Sequence, residues 1–208
     1  MAGIRRGSMT TLALLVIVLL AAGCGQSIPQ GYEVHEGDIV FQSLPHSPMV
    51  DMIEGATQSR CSHCGIVAKS DGHWTIIEAI GPVKETPLAQ WIAQGRDGWF
   101  AAYRLNPALS TQIPAIVAQA RRYLGRPYGN HFRFEDEGIY GSELVFKAIK
   151  ETTHQNVGKT QPLGDLNWQP YADYICSIEQ EIPLDREMIT PRALTEAPEL
   201  TKVFARSP

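Results

Sequence analysis

Two β-type runs separated by a short turn stand out in the pattern of apolar and polar positions. The runs SHCGIVAKS (62–70) and HWTIIEAI (73–80) are rich in apolar and β-branched residues. Asp71-Gly72 between them is typical of a two-residue hairpin turn. We therefore predict an antiparallel hairpin in which the numbers of paired residues add up to 143, as 71 and 72 do.

Apolar residues at helical spacing predict four helices. These helices begin at Thr86-Pro87, at Ser110, at Gly141 and at Thr190-Pro191. We expect Thr86 to cap the first helix and Gly95 to end it, because threonine and glycine favour those positions. In the second helix, the predicted apolar stripe includes Leu124. Glu143 places an acidic residue in the first turn of the third helix.

Three further segments have the composition of β-strands, and they decide the fold class. They are residues 37–43, 98–105 and 201–206. Segment 44–60 has two prolines and mixed polarity, so we predict a loop with at most one helical turn there. Strands and helices mix without regular β-α-β alternation, which predicts an α+β fold with an antiparallel sheet packed with helices.

An uninterrupted apolar run near the N-terminus, residues 12–22, follows Arg5 and Arg6 and leads to the sequence LAAGC, which ends at Cys24. Small residues before a cysteine resemble a bacterial lipobox, in which cleavage precedes a cysteine that carries diacylglycerol. An ordinary signal peptide or a short membrane anchor is the alternative, although this run is shorter than the roughly 20 residues that span a bilayer.

The lipobox interpretation divides the chain into three parts. Residues 1–23 are the lipoprotein signal peptide, residues 24–36 are the lipidated cysteine and its tether, and residues 37–208 are the folded domain. Gly25 rather than aspartate follows Cys24, which favours sorting to the outer membrane. We therefore expect a lipid-anchored protein of the bacterial cell envelope that faces the periplasm.

Composition excludes several classes of protein. The 208 residues are 44% hydrophobic and 19% charged, with a formal net charge of −4, as expected for a globular domain. The sequence has no run of basic residues that would indicate binding to a nucleic acid. Besides Cys24 the chain has Cys61, Cys64 and Cys176, which can form at most one disulfide among them.

His63 and Glu78 are the pair of residues best suited to catalysis. In the predicted register they are diagonal neighbours on one face of the hairpin. A carboxylate beside an imidazole fixes its tautomer and supports its protonated form, as a general base requires. The alternative is a solvated pair without function, but the apolar neighbours of Glu78 in TIIEAI favour a buried carboxylate that needs a partner.

Four motifs, in this order, resemble one family. SHCGIV, WTIIEAIGPVKETPLAQWIAQG, RRYLGRPYG and IYGSELVFKA are similar to the YiiX-like permuted branch of the NlpC-type cysteine hydrolases, the permuted papain-like amidases. The C-terminal ITPRALTEAPELTKVF is also similar, so the likeness spans about residues 35–205. It implies a cysteine peptidase or amidase in which histidine and acid come early and the nucleophile comes late, at the start of a helix.

Residue by residue, the resemblance implies that His63 is the base and that Glu78 is the acid that orients it. The family pattern YCSE is YGSE here, so Gly141 occupies the position of the nucleophile. Tyr128 and Tyr140 are the candidates for lining the substrate pocket. Since glycine has no reactive atom, the resemblance implies weak or absent cysteine-hydrolase activity.

Three other side chains near His63 or Gly141 carry an atom that could act as a nucleophile. Ser142 is one residue further along the helix, which turns its side chain away by about 100°. Cys64 alternates with His63 along the strand and should point into the core. Cys61 is the one thiol that could share the face of His63, at roughly 6 to 7 Å.

The CSHC sequence and the PYG sequence raise two further questions. CSHC holds two thiols and an imidazole, but a structural zinc site needs a fourth ligand, with His73 the nearest candidate. We predict no metal and no cofactor. In PYG, Gly129 stands where the family tends to have an acid, which we interpret as a second changed position beside the cleft.

Together these residues predict an envelope lipoprotein that binds a peptide- or lipid-amide ligand with little or no catalysis. Its expected partners are the membrane, through the lipid on Cys24, and that ligand. The alternative is an active hydrolase or acyltransferase, acting on cell-envelope amides or esters, that uses Cys61.

Overall fold

An antiparallel sheet of six strands forms the centre of the computed structural model, which describes residues 28–206. Together with two strands outside this sheet, the strands of the described residues are β1 (Ile39–Gln42), β2 (His63–Ser70), β3 (His73–Ala79), β4 (Val83–Pro87), β5 (Phe100–Leu105), β6 (Gln161–Pro162), β7 (Glu187–Met188) and β8 (Leu200–Ala205). The large sheet has the order β4-β3-β2-β1-β5-β8, and β6 pairs with β7 in a separate ribbon. All named pairs are antiparallel.

Helices cover both faces of this sheet. They are α1 (Pro48–Thr57), α2 (Leu88–Gln94), α3 (Pro107–Ser110), α4 (Ile113–Arg121), α5 (Gly141–Thr153), α6 (Ala172–Ile178) and α7 (Pro191–Thr195). Ile66 and Ile77 of the sheet share one core cluster with α4 and α5. Val67 and Ile76 share the other cluster with Trp91 of α2. This arrangement confirms the predicted α+β class.

The hairpin of β2 and β3 has the predicted register. Asp71 and Gly72 have φ angles of 49° and 81°, the left-handed conformation that a tight two-residue hairpin turn requires at both central positions. Ser70 pairs with His73, and the later pairs keep the same sum of 143. The turn therefore fixes which side chains of the two strands share a face.

Segment 44–60 is not the predicted loop, because it contains the ten-residue helix α1. The Ser47 side chain accepts a hydrogen bond from the Val50 amide, and Pro48 occupies the first turn, where its missing N–H costs nothing. Gln58 ends the helix in the left-handed conformation, with φ 51°. The Ser-Pro pair was a usable start signal, of the same kind as Thr190-Pro191, which does begin α7.

The predicted role of Thr86 as a helix cap is wrong. Strand β4 extends to Pro87, and α2 begins after it without a side-chain cap. The Thr86 hydroxyl instead donates to the Glu78 carboxylate across the sheet. Thr86-Pro87 therefore marks the end of a strand, and its side chain serves the neighbouring strand.

The helix predicted over residues 110–125 is shorter than expected. Residues Pro107–Ser110 form α3, and α4 ends at Arg121, so Leu124 lies beyond the helix and is 43% exposed. Helix α6 was not predicted. The helix predicted at Gly141 is present as α5, with Glu143 in its first turn.

The N-terminal part of the described chain is fastened to the sheet. The buried Asp38 carboxylate accepts from the Tyr32 hydroxyl at 3.0 Å and from the Arg104 guanidinium at 2.7 and 2.9 Å. Tyr32 also packs against Phe100. The predicted signal peptide and Cys24 lie outside the described residues, and within residues 28–206 no helix is long and apolar enough to cross a membrane.

Candidate active site

His63 and Glu78 meet on the β2–β3 hairpin, as the register predicts. His63 Nε2 lies 2.6 Å from Glu78 Oε2, and both side chains are almost fully buried. The ring of His63 also packs near Trp91, with 6.0 Å between ring centroids. Because the contact is short and buried, Glu78 holds the His63 imidazole in a fixed orientation, and the two side chains are not a solvated surface pair.

The Glu78 carboxylate is held by two residues besides His63. Thr86 donates to Oε1, and Gln94 Nε2 lies 3.4 and 3.3 Å from the two carboxylate oxygens. Burial would raise the pKa of Glu78, but the hydrogen bond and charge of His63 and the two further donors outweigh it, leaving this pKa below its usual value. Glu78 is therefore ionised, which assigns the proton of the contact to His63 Nε2.

The other ring nitrogen, Nδ1, points towards the start of α5. A Cβ atom built on Gly141 would lie 3.5 Å from His63 Nδ1, 3.6 Å from the Cys64 carbonyl oxygen and 3.9 Å from that of Ala79. All three are ordinary van der Waals distances. The fold therefore brings His63, Glu78 and Gly141 together and leaves room for a side chain at position 141.

The residues next to Gly141 form hydrogen bonds that hold the start of α5 in place. The Ser142 hydroxyl donates to the Ile189 carbonyl oxygen at 2.8 Å, so it is directed away from His63. The Tyr140 hydroxyl accepts from the Ile189 amide at 3.1 Å, and the Tyr140 amide donates to Glu143 at 3.2 Å. These contacts fix the first turn of α5, whose unpaired amide N–H groups point out of the helix start.

Cys61 and Cys64 are not placed to act as a nucleophile beside His63. Both are buried in the core, as predicted for Cys64, and neither belongs to the lining of the cavity beside His63. Burial raises the pKa of the Cys61 thiol, although a hydrogen bond with Ser59 opposes the shift, and burial also raises the pKa of Cys64. A buried thiol with a raised pKa is a poor nucleophile. Cys176 is exposed.

A largely apolar cavity opens beside His63 and Gly141, with a volume of about 80 Å³. Tyr128 and Tyr140 both line it. Most of the remaining lining comes from α1, α6, residues 163–166 and residues 183–191. Burial raises the pKa of the Tyr128 hydroxyl, which therefore stays protonated near neutral pH.

Gly129 has a structural reason for lacking a side chain. The chain at residues 127–129 runs beside residues 138–139, where the Gly129 amide donates to the Ile139 carbonyl oxygen at 3.2 Å. A Cβ on Gly129 would lie 3.3 Å from the Gly138 carbonyl carbon, closer than most such contacts. Tyr128 and Asn130 line the cavity, whereas Gly129 is not part of its lining.

Sequence reasoning missed Thr86, Gln94 and most of the cavity wall. Thr86 carried a signal that we assigned to helix capping, because a threonine before a proline is common to strand ends and helix starts. Gln94 comes from α2 and reaches Glu78 only after the helix folds onto the sheet. No local pattern in the sequence reports such a contact.

Comparison with known proteins gives consistent results along nearly the whole described chain. Residues 33–204 match the family model described as permuted papain-like amidase enzyme, YaeF/YiiX, C92 family. The Escherichia coli (strain K12) protein named Uncharacterized protein YiiX is 34% identical over 200 residues, which cover 94% of this chain and 96% of the relative. The crystal structure of metalloprotein YiiX from Escherichia coli O157:H7 has a TM-score of 0.78 and 33% identity. It covers 85% of this chain and 100% of that one.

Proposed function

Because the chain belongs to the family of permuted papain-like amidase enzymes of the YaeF/YiiX type, we propose that it is a member whose nucleophile position is occupied by Gly141. In this proposal, His63 is the retained base and Glu78 is the acid that orients it. The protein binds an amide of the cell envelope and has little or no hydrolytic activity of its own. Tyr128 and Tyr140 form part of the binding pocket.

One observation carries this proposal: His63 Nδ1 faces position 141 at a distance that suits a side chain there. A Cβ at position 141 would contact Nδ1 at 3.5 Å, while Nε2 is held by Glu78 at 2.6 Å. This is the order of contacts that a cysteine, histidine and acid need for nucleophilic catalysis. Glycine at the first position of α5 interrupts that order only at the reactive atom.

The retained groups define what the site can still do. His63, whose Nε2–H donates to Glu78, can accept a hydrogen bond at Nδ1 or donate one when protonated. The amide N–H groups in the first turn of α5 can hold a carbonyl oxygen. Without a thiolate there is no covalent intermediate, so binding and polarisation of a carbonyl are what remains. Loss of a covalent nucleophile commonly removes a factor of about 10⁴ or more from the rate.

A metal does not fit the described donor set. The related crystal structure is of a metalloprotein, but within residues 28–206 no group of three or more histidine, cysteine, aspartate or glutamate side chains could hold a metal ion. His63 Nε2 is engaged by Glu78, and Cys64 lies in the core. We therefore assign no role to a metal.

The location of the protein is part of the proposal. The lipobox-like sequence before Cys24 supports anchoring by a lipid to the envelope, with the domain facing the periplasm from the outer membrane. The alternative, an active hydrolase that uses Cys61, has no observation in its favour because that thiol is buried outside the cavity lining.

The test restores the missing atom. We expect Gly141→Cys to create a thiol that reacts quickly with iodoacetamide at pH 6 to 7, because the helix start and a protonated His63 both stabilise a thiolate. The labelled sites are identified by peptide mass spectrometry in the full chain. The exposed Cys176 of the same molecule provides an internal reference for an ordinary thiol.

Ser142→Cys is the matched control, since the native Ser142 side chain points to the Ile189 carbonyl oxygen and not to His63. Labelling at position 141 should be much faster than at position 142 or at Cys176. Equal rates at position 141 and at Cys176 would show that the residues do not form a remnant catalytic site. Hydrolytic activity of the parent chain that disappears in Cys61→Ala would instead establish the alternative.

A further inference from the structure

Residues 161–188 extend from the rest of the domain and return to it at one place. The outgoing strand β6 pairs with the returning strand β7, and we call this pair the neck. Beyond the neck, residues 163–186 contain α6 and the two 3₁₀ helices Leu163–Asp165 and Gln169–Tyr171. Because its two ends run side by side, this segment can move as one unit about the neck.

The returning end of the neck is fixed beside the candidate site. Ile189 follows β7 directly, and its amide donates to the Tyr140 hydroxyl at 3.1 Å. Its carbonyl oxygen accepts from the Ser142 hydroxyl at 2.8 Å. Tyr140 and Ser142 are the two neighbours of Gly141, so the neck is joined to the start of α5 and can stay in place when residues 163–186 move.

The segment beyond the neck has few buried residues. Of residues 163–186, only Leu163 and Ile175 are buried, whereas the first six residues of α5 are all buried. Segments with few buried apolar contacts open at a lower free energy than the core of a domain. Residues 163–186 are therefore a part of the domain that opens without unfolding the sheet.

One end of the segment lies against α1. The Asn167 amide donates to the Ala56 carbonyl oxygen at 3.0 Å. The Tyr171 hydroxyl lies over Gly55, where a Cβ would collide with it. Gly55 is inside a helix, a position at which alanine is normally favoured. The absence of a side chain at Gly55 thus provides the space in which Tyr171 packs.

The other end of the segment is held by the Glu179 carboxylate. His131 and Arg133, which lie outside the segment, contact this carboxylate at 2.9 and 3.2 Å. Arg186 donates to it at 2.5 Å and to the His131 carbonyl oxygen at 2.7 Å. The hydrogen bond from Arg186 is the main cause that lowers the pKa of Glu179 to about 2, so the carboxylate is charged near neutral pH.

The inner side of the segment covers the cavity beside Gly141. Leu166, Ile175 and Ile178 line it from this side, and α1 lines it from the other. The cavity volume of about 80 Å³ is less than the ~150 Å³ of an apolar cavity that takes up benzene. A larger molecule reaches residue 141 only when part of this wall moves.

We propose that residues 163–186 form a hinged lid over position 141. The lid pivots at the neck and is held shut at two contacts, Tyr171 on Gly55 and Glu179 with His131 and Arg133. The closed lid admits small molecules, and the open lid lets larger ones reach His63 Nδ1. This inference adds control of access to the proposed function, and it does not depend on whether the site is a catalytic remnant.

Hydrogen exchange of the full chain, followed by mass spectrometry, tests whether the lid opens as a unit. Amides of residues 164–186 should exchange together and before those of β2 and β3. Glu179→Gln removes the charge that holds the lid, so it should speed exchange across the segment by about 10-fold. Glu181→Gln changes an exposed glutamate of the same segment and should have no effect.

Two thiol reagents of different size test whether the lid covers position 141. Iodoacetamide is small and N-(1-pyrenyl)maleimide is bulky, and both react with the thiolate, so the ratio of their rates is independent of the thiol pKa. In Gly141→Cys the exposed Cys176 gives the ratio for an uncovered thiol. We expect the bulky-to-small ratio at position 141 to be lower than at Cys176 by about 10-fold or more, and to rise in Glu179→Gln.

Gly55→Ala tests the second contact without changing the lid. Its methyl group would displace Tyr171, so the bulky-to-small ratio at position 141 should rise here as well. In the Tyr171→Ala background the collision is removed, and Gly55→Ala should then add nothing. Thermal melts confirm that each variant is folded, and Gly55→Ala decides the question if Glu179→Gln does not fold.

Two outcomes would overturn the lid. One is a bulky-to-small ratio at position 141 that equals the ratio at Cys176 while both contacts are intact. The other is exchange of residues 164–186 that keeps pace with the sheet and responds to neither Glu179→Gln nor Gly55→Ala. The remnant site is judged separately, because slow iodoacetamide labelling would reject it while the ratio of the two reagents still reports on the lid.

Discussion

The two sides of the candidate site differ in how completely they are built. On the hairpin side, the buried Glu78 carboxylate has hydrogen bonds with His63, Thr86 and Gln94. On the helix side, Gly141 brings no side chain, and a Cβ there would meet its neighbours at 3.5 Å or more. A change at Glu78 would leave buried polar groups unpaired, whereas a methyl group at position 141 would make only ordinary contacts. Under the proposed function, catalytic power can therefore be lost at position 141 while the fold keeps His63 and Glu78 in place.

The largest effect is expected when the hairpin side is broken. Glu78→Ala removes one partner of a buried pair and leaves His63, Thr86 and Gln94 without their acceptor, which should cost about 3–5 kcal/mol of the free energy of unfolding. Glu78→Gln keeps the shape and part of the hydrogen bonding, so its loss should be about 1.5–3 kcal/mol. Urea denaturation of the full chain at pH 7 measures both changes.

The stabilisation of the fold by the Glu78 carboxylate should decrease as the pH is lowered. The pKa of Glu78 is lowered in the folded state, so its charge stabilises the fold above its unfolded pKa of about 4.3. That contribution disappears as the pH falls through the folded value. The difference between the parent and Glu78→Gln should therefore shrink below about pH 4. Glu181→Gln, at an exposed position, is the control, and a parent–Gln difference independent of pH would mean that Glu78 is not ionised.

The second largest effect joins the two sides. In the Gly141→Cys background, His63→Ala should slow iodoacetamide labelling at position 141 by about 30-fold or more at pH 6. The reason is that the thiol returns from an activated pKa below about 7 towards the ordinary value near 8.5. The pH profile of labelling should move to higher pH by the same change. His73→Ala, at an exposed position of the hairpin, should leave the profile unchanged.

If His63→Ala and His73→Ala behave alike, the helix start alone activates the thiol and the two sides do not cooperate. A loss of folding in His63→Ala would appear in the urea denaturation curve. In that case His63→Gln, which keeps a hydrogen-bonding group at this position, replaces it.

The hairpin side was predictable from the sequence because its information is local. Asp71-Gly72 determines the turn, the turn determines the register, and the register places His63 and Glu78 on one face. Residue 141 was placed beside them only by the family resemblance, since no local pattern connects it to a hairpin more than 60 residues earlier in the chain. The geometry at Gly141 agrees with that placement.

The missed features depend on contacts between distant segments. The cavity wall joins α1, predicted as a loop, with α6, which was not predicted. Gln94 reaches Glu78 through the packing of α2 on the sheet. Gly129 was interpreted from the family pattern as a changed site residue, whereas its environment reflects the close passage of residues 138–139. A pattern of residue types does not distinguish these two reasons for a glycine.

The smallest effect compares these two glycines. Gly141→Ala adds a methyl group in ordinary contact with its neighbours at the first position of α5, so it should be neutral or stabilise the fold by up to about 1 kcal/mol, because alanine loses less backbone entropy on folding. Gly129→Ala places its methyl group 3.3 Å from the Gly138 main chain, so it should destabilise the fold by about 1–3 kcal/mol. Thermal melts of the two single variants under identical conditions measure the contrast. Equal and unfavourable effects would mean that position 141 is as crowded as position 129. Position 141 would then have no room for the side chain of a nucleophile, contrary to the proposal.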